Sequence, residues 1–259
     1  MKKIIASLFL MVAFFSTIGA SAKDDVNSAD LLSKVSQDAG SYGELITQGT
    51  IFPLKGDRAK PLYFFERRVR GEGAEVISTS YTHDGQKPVL IETAIHDANY
   101  KVRAFTENQF QLGTVGKMTV DGNKVYFHSV SGGKEKHAEE TVPSLPVVAG
   151  PAFFGFMYNN WDALMAGKTV PFRYCVMHRM ETVGFELEKV KSSPGQVRIR
   201  MKPTSYVISL LVDPIHFTFA PDKSLLFLEG RVPPKIKKGD GWADLDAYEV
   251  YKNVAPVFK

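Results

Sequence analysis

The chain has 259 residues, a formal net charge of +4 and a single cysteine, and 44% of its residues are hydrophobic. That apolar content supports a substantial core without disulfides, and one cysteine excludes an intramolecular bridge. Setting aside Lys2 and Lys3 takes the net charge from +4 to about +2 (4 − 2), too weak an excess to point to nucleic acid.

Residues 1–22, MKKIIASLFLMVAFFSTIGASA, have the form of a secretory signal peptide. Lys2 and Lys3 supply the charged start, Ile4 to Phe15 the apolar run, and Ala20-Ser21-Ala22 the small-residue cleavage site. The run is shorter than the roughly 20 residues a spanning helix needs. The mature chain is therefore expected to begin near Lys23, in the periplasm and without a transmembrane segment. Residues 23–259 are read as a single β-rich domain.

Ser28 is placed to cap a short helix bearing Leu31, Leu32 and Val35, which Gly40 ends. From Tyr42 the period changes to two. A strand over Tyr42 to Ile51 is followed by another opening at Leu62, and Ala74 to Thr82 and Pro88 to Ala94 flank the Asp84-Gly85 hairpin signal. Tyr100, Val102 and Ala104 alternate with Lys101 and Arg103. Asp121-Gly122-Asn123 and Ser131-Gly132-Gly133 mark further turns before a polar strand over Glu135 to Thr141.

A proline-marked link from Val142 to Pro151 leads into the stretch Gly150 to Cys175, GPAFFGFMYNNWDALMAGKTVPFRYC, the one long segment after the N-terminal region that reads as an apolar helix. Gly155, Asn159 and Asn160 are poor helix formers, so the helix is expected to be irregular, with Gly167 as its C-terminal cap. Val183, Phe185 and Leu187 then alternate with Glu186 and Glu188. After Ser193-Pro194-Gly195, Val197, Ile199 and Met201 alternate with Arg198, Arg200 and Lys202. Apolar pairing and charge pairing select the same register for this hairpin. Ser205 to Val212 and Leu225 to Leu228 are apolar on both faces and are expected to be covered on both sides. Arg231 to Trp242, with Pro233 and Pro234, reads as a long loop, and Leu245 to Tyr251 as a last strand.

Chemistry is sparse. Cys175 and His178, three apart in an expected strand, point to opposite faces and do not form a dyad. The six histidines lie apart, with no i, i+2 or i, i+4 pair, so no metal site and no cofactor is expected. Nucleotide-binding and hydrolase motifs are lacking, and no catalytic residue is identified. His216, after Asp213, is expected on the solvent face opposite Phe217. An outer-membrane barrel is disfavoured by Pro256 near the chain's end and by the apolar helix, which has no place in a small barrel wall.

The helix is the informative feature. Phe153, Phe154, Phe156, Met157 and Trp161 cover more than one of its faces, whereas an amphipathic helix needs one stripe. They are either plain core or the lining of a cavity for an apolar ligand, with Arg173 and Tyr174 at its polar rim.

Two stretches resemble known groups. ADLLSKVSQDAGSYGELITQGT is similar to the opening of the periplasmic lipoprotein-carrier proteins, and FFGFMYNNWDALMAGKTVPFRY to a pattern in uncharacterised exported proteins of Gram-negative bacteria. The carrier resemblance implies an apolar concave sheet, closed by helices, that holds acyl chains.

The expected fold is mainly β: a large curved antiparallel sheet, an open half-barrel, with the central and N-terminal helices packed on its concave face. The expected function is non-enzymatic binding of an apolar or lipidic ligand between sheet and helix. Two alternatives stand beside it, an envelope interaction or structural module without a small ligand, and a hydrolase with a site assembled from distant strands.

Overall fold

The computed structural model describes residues 43–55, 58–210 and 212–254. The signal-like leader, the helix expected after Ser28 and Pro256 lie outside the described residues.

An N-terminal meander runs through β1 (Glu44–Pro53), β2 (Tyr63–Arg70), β3 (Glu75–Thr82), β4 (Pro88–His96), β5 (Val102–Gln109), β6 (Thr114–Asp121), β7 (Lys124–Ser131) and β8 (Lys134–Thr141). The short β9 (Val147–Val148) precedes two helices, α1 (Ala152–Asn159) and α2 (Trp161–Met165). The chain continues as β10 (Val170–Val176), a 3-10 turn (Met177–Arg179), β11 (Glu181–Val190) and β12 (Val197–Pro203). It ends with α3 (Tyr206–Ser209), β13 (Ile215–Phe219), β14 (Leu225–Lys238) and β15 (Gly241–Asn253).

All fifteen described strands form one sheet, ordered β8-β7-β6-β5-β4-β3-β2-β1-β15-β14-β13-β12-β11-β10-β9. The two meanders meet where β1 pairs antiparallel with β15, Thr47 opposite Asn253 and Pro53 opposite Ala247. Only the β9–β10 pair among them is parallel. The turn signals act as read. Gly132 and Gly133 both take positive φ (55° and 73°) in the two-residue turn between β7 and β8, as a tight hairpin with the right strand twist requires.

The sheet is open but rolls far enough to meet itself. Glu140 on the edge strand β8 accepts a hydrogen bond from the Thr182 amide of β11 at 2.7 Å. At another point the amide of Gln111, after β5, donates to the Lys235 carbonyl at 2.9 Å and accepts from the Lys235 amide at 2.7 Å. These side chains join strands that no ladder joins. The outer face of β8 is polar and charged, which discourages a further strand from adding to this edge.

Two clusters fill the interior. The larger surrounds α1 and α2 and takes Phe172, Phe185, Leu187, Ile199, Phe217 and Phe219 from the C-terminal meander, with Ile51 and Phe65 from β1 and β2. The smaller lies where the N-terminal meander covers the β9–β10 edge, and holds Ala94, Phe105, Met118, Phe127, Val147, Ala149 and Cys175. Every residue of α1 from Ala152 to Met157 is buried, as expected of a helix that is apolar all round.

The β11–β12 hairpin has the expected register, Leu187 opposite Met201 and Glu188 opposite Arg200. Three readings need correction. Residues 231–242 belong to the long β14–β15 hairpin, because Pro233 and Pro234 sit in a bulge between Val232 and Lys235, where no ladder amide is needed. The stretch after Ser205 forms α3 and is uncovered, with Tyr206 77% and Val207 67% exposed. His178 lies in the 3-10 turn after β10, not in the strand.

Candidate binding site

The helix breaks at Asn160, which has φ −103° and ψ 13°. The Asn160 side-chain amide donates to the Phe156 carbonyl at 2.8 Å, capping the end of α1, while its own carbonyl accepts from the Leu164 amide at 3.1 Å and starts α2. At the far end the Lys168 amide reaches the Ala163 carbonyl and the Gly167 amide the Leu164 carbonyl, each at 3.0 Å. With Gly167 at φ +78°, this is the double-bonded helix stop that favours glycine.

The structure brings the expected aromatic residues together. Phe153 packs against Phe172, Tyr174 and Phe217 with ring centroids 5.7, 6.0 and 5.3 Å away. Phe156 meets Phe172 at 5.4 Å and Trp161 meets Phe219 at 5.0 Å. Met157 is wholly buried in the same cluster. Phe154 differs, because a charge lies on it: the Arg67 guanidinium sits 3.8 Å from the Phe154 ring centroid.

Arg173 and Tyr174 occupy opposite faces of β10. Arg173 donates to the Thr182 hydroxyl at 2.5 Å and to the Thr182 carbonyl, and lies 3.9 Å from Glu140. It therefore helps hold the seam where the sheet meets itself. Tyr174 packs edge-on to Phe153 and Phe185, and burial pushes its phenol well above the ordinary value.

Sequence reasoning missed a row of polar residues inside the N-terminal meander. Successive strand pairings place Thr47 beside Arg67, Arg67 beside Ser78, Ser78 beside Glu92, and Glu92 beside Glu107. Arg67 is 9% and Glu92 6% exposed. Burial, and then the Glu107 charge, raise the Glu92 carboxyl to about 8 against the attraction of Arg67. Burial raises Glu107 to about 7. Glu249 on β15 is also raised by burial, and accepts a hydrogen bond from the Tyr251 hydroxyl. A signal existed: Arg67 between Phe65 and Val69, Glu92 between Leu90 and Ala94, and Glu107 two after Phe105 each put a charge in the apolar phase of a strand.

Arg67 and Thr47 are the members of this row that border a cavity. The Arg67 Nη2 donates to the Tyr251 hydroxyl at 3.4 Å, and its buried Nε has no hydrogen-bond partner. No carboxylate lies within 4.0 Å of it among the described residues. It borders a cavity of about 10 Å³ with Thr47, Phe154, Tyr158, Leu225, Tyr251 and Asn253. That space takes about one water-sized group.

His216 lies in β13 between Arg200 and Glu229, and Glu229 is already paired with Arg198 at 2.7 Å. The histidines do converge elsewhere, however. His128 and His137, nine apart in sequence, are direct partners across β7 and β8, a pairing that spacing along one strand or helix does not reveal.

No protein-family model matches the chain, and no curated protein does. Among solved structures it is similar to the crystal structure of a beta-barrel-like protein of the domain of unknown function DUF1849 from Brucella abortus. The TM-score is 0.48 at 9% sequence identity, covering 82% of this chain and 97% of that one. No helix of the described residues is long and apolar enough to cross a membrane.

Proposed function

We propose that this chain is an exported, non-catalytic binding module that takes an amphipathic, lipidic ligand by its anionic head group at Arg67. The observation that carries the reading is the buried Arg67 guanidinium: stacked on Phe154, unpartnered at Nε, and bordering a cavity. Arg67 attracts the buried Glu92 and Glu249 carboxyls without pairing directly with either, and a carboxylate or phosphate head group would supply the direct partner that a buried cation favours. Phe154, Tyr158 and Leu225 line the same space and suit the first carbons of a tail. The cavity takes one water-sized group, so a head group and tail must displace Phe154 and Tyr158 from the sheet.

The test is mass spectrometry of organic extracts of the purified protein, with titration of a fluorescent fatty acid. A co-purified lipid, or probe binding that Arg67→Gln weakens about tenfold, about 1.4 kcal/mol, supports the reading. Clean extracts with no probe binding overturn it. A second reading, a ligand-free interaction module of the cell envelope, is favoured by the complete burial of Met157, Leu164 and Phe172. It predicts a partner protein captured by crosslinking and an interior that excludes the probe.

A further inference from the structure

We propose that the outer face of the β7–β8 hairpin binds a divalent transition-metal ion through His128, Glu135 and His137, with zinc as the ion best matched. His128 and His137 are opposed across the two strands, their rings stacked with centroids 4.5 Å apart and planes within 2°. Glu135 precedes His137 by two residues, so both project from the same face of β8. Its Oε2 lies 3.6 Å from His128 Nε2 and 3.9 Å from His137 Nε2. One ligand atom from each of the three residues falls within 4.8 Å of the others.

The donor set suits the ion. Two imidazole nitrogens and a carboxylate oxygen are ordinary zinc ligands, and bonds of about 2.0–2.2 Å in a tetrahedron set ligand atoms roughly 3.3 Å apart. Side-chain rotations on a fixed hairpin close that gap. The buried Nε2 of His128 has no hydrogen-bond partner, and a metal would satisfy it. Lys117 faces His128 from β6, and Glu135 brings a negative charge into the ligand set. Three protein ligands leave a fourth position for water or for a group from another molecule. Phe127 and Ala138, the neighbouring pair, face the core, so the hairpin is braced from behind.

Calorimetric titration of Zn²⁺ into the chelator-treated full chain tests this. One ion per chain is expected, at micromolar affinity or tighter. His128→Ala and His137→Ala should each weaken binding about 100-fold, and Glu135→Gln about tenfold. The thermal midpoint of the metal-free variants should stay at the parent value, while His83→Ala should leave zinc affinity unchanged. Absence of binding below about 1 mM Zn²⁺ overturns the proposal. So does binding that survives in the His128→Ala/His137→Ala double variant, since the ion would then sit elsewhere.

Discussion

The two interior clusters are built from different materials. The one around α1 and α2 is aromatic and holds few polar groups. The one where the N-terminal meander covers the β9–β10 edge is made of smaller side chains, and the paired carboxyls of Glu92 and Glu107 stand beside it. Gly150 shows the junction: a Cβ there would come 2.4 Å from the Phe105 ring and 3.3 Å from Glu92 Oε1. Of the buried polar side chains described, nine of twelve belong to the N-terminal meander. The C-terminal meander thus supplies most of the aromatic interior, and the N-terminal meander most of the buried polar groups.

The sharpest way to break that contrast is to hollow out the aromatic side. Phe172→Ala is expected to cost about 3–5 kcal/mol, seen in urea unfolding, and by a similar amount at pH 5 and pH 9. An effect below about 1 kcal/mol would mean that the aromatic cluster does not carry the fold.

The acidic side gives the opposite signature. The folded-state carboxyl of Glu92 titrates near 8, above its ordinary 4.5, so the folded form holds a proton that the unfolded form has released. The stability linked to it is complete below pH 4.5 and is lost as the pH rises through about 8. Glu92→Gln keeps the shape without the charge. It should be more stable than the parent at pH 9, on the order of 2 kcal/mol, with the gap shrinking toward pH 5. Equal pH slopes in parent and variant would remove Glu92 from the account.

The smallest effect tests the end of the helical segment. Gly167→Ala forces a side chain into φ +78° and should cost about 1 kcal/mol. A thermal midpoint equal to the parent's would show that the α2 stop is not strained by a Cβ.

Most of the framework was legible because strands announce their faces. The β11–β12 hairpin was readable since burial and charge agreed, and its ion pairs are present, Arg200 with Glu188 at 2.5 Å and Lys202 with Glu186 at 3.0 Å. What sequence could not supply was the alignment of one row across several strands. Arg67, Glu92 and Glu107 stand 25 and 15 residues apart in the chain (92 − 67 and 107 − 92), and only cross-strand register makes them neighbours. His128 and His137 differ, because the two-residue turn at Gly132-Gly133 by itself fixes their register. Pro233 and Pro234 misled in another way, because proline signals a break in a ladder and a bulge tolerates one inside a continuing strand. Tyr206 and Val207 misled because an apolar run was equated with burial, although exposed apolar side chains are common at protein surfaces.

The β1–β15 ladder has a kinetic meaning. Thr47 and Asn253 are roughly 200 residues apart, and contacts so remote in sequence close late and slowly. Until β15 arrives, the inner edge of β1 offers bare amides and carbonyls to any passing strand. A chain cut short before β15 would thus be sticky rather than merely incomplete.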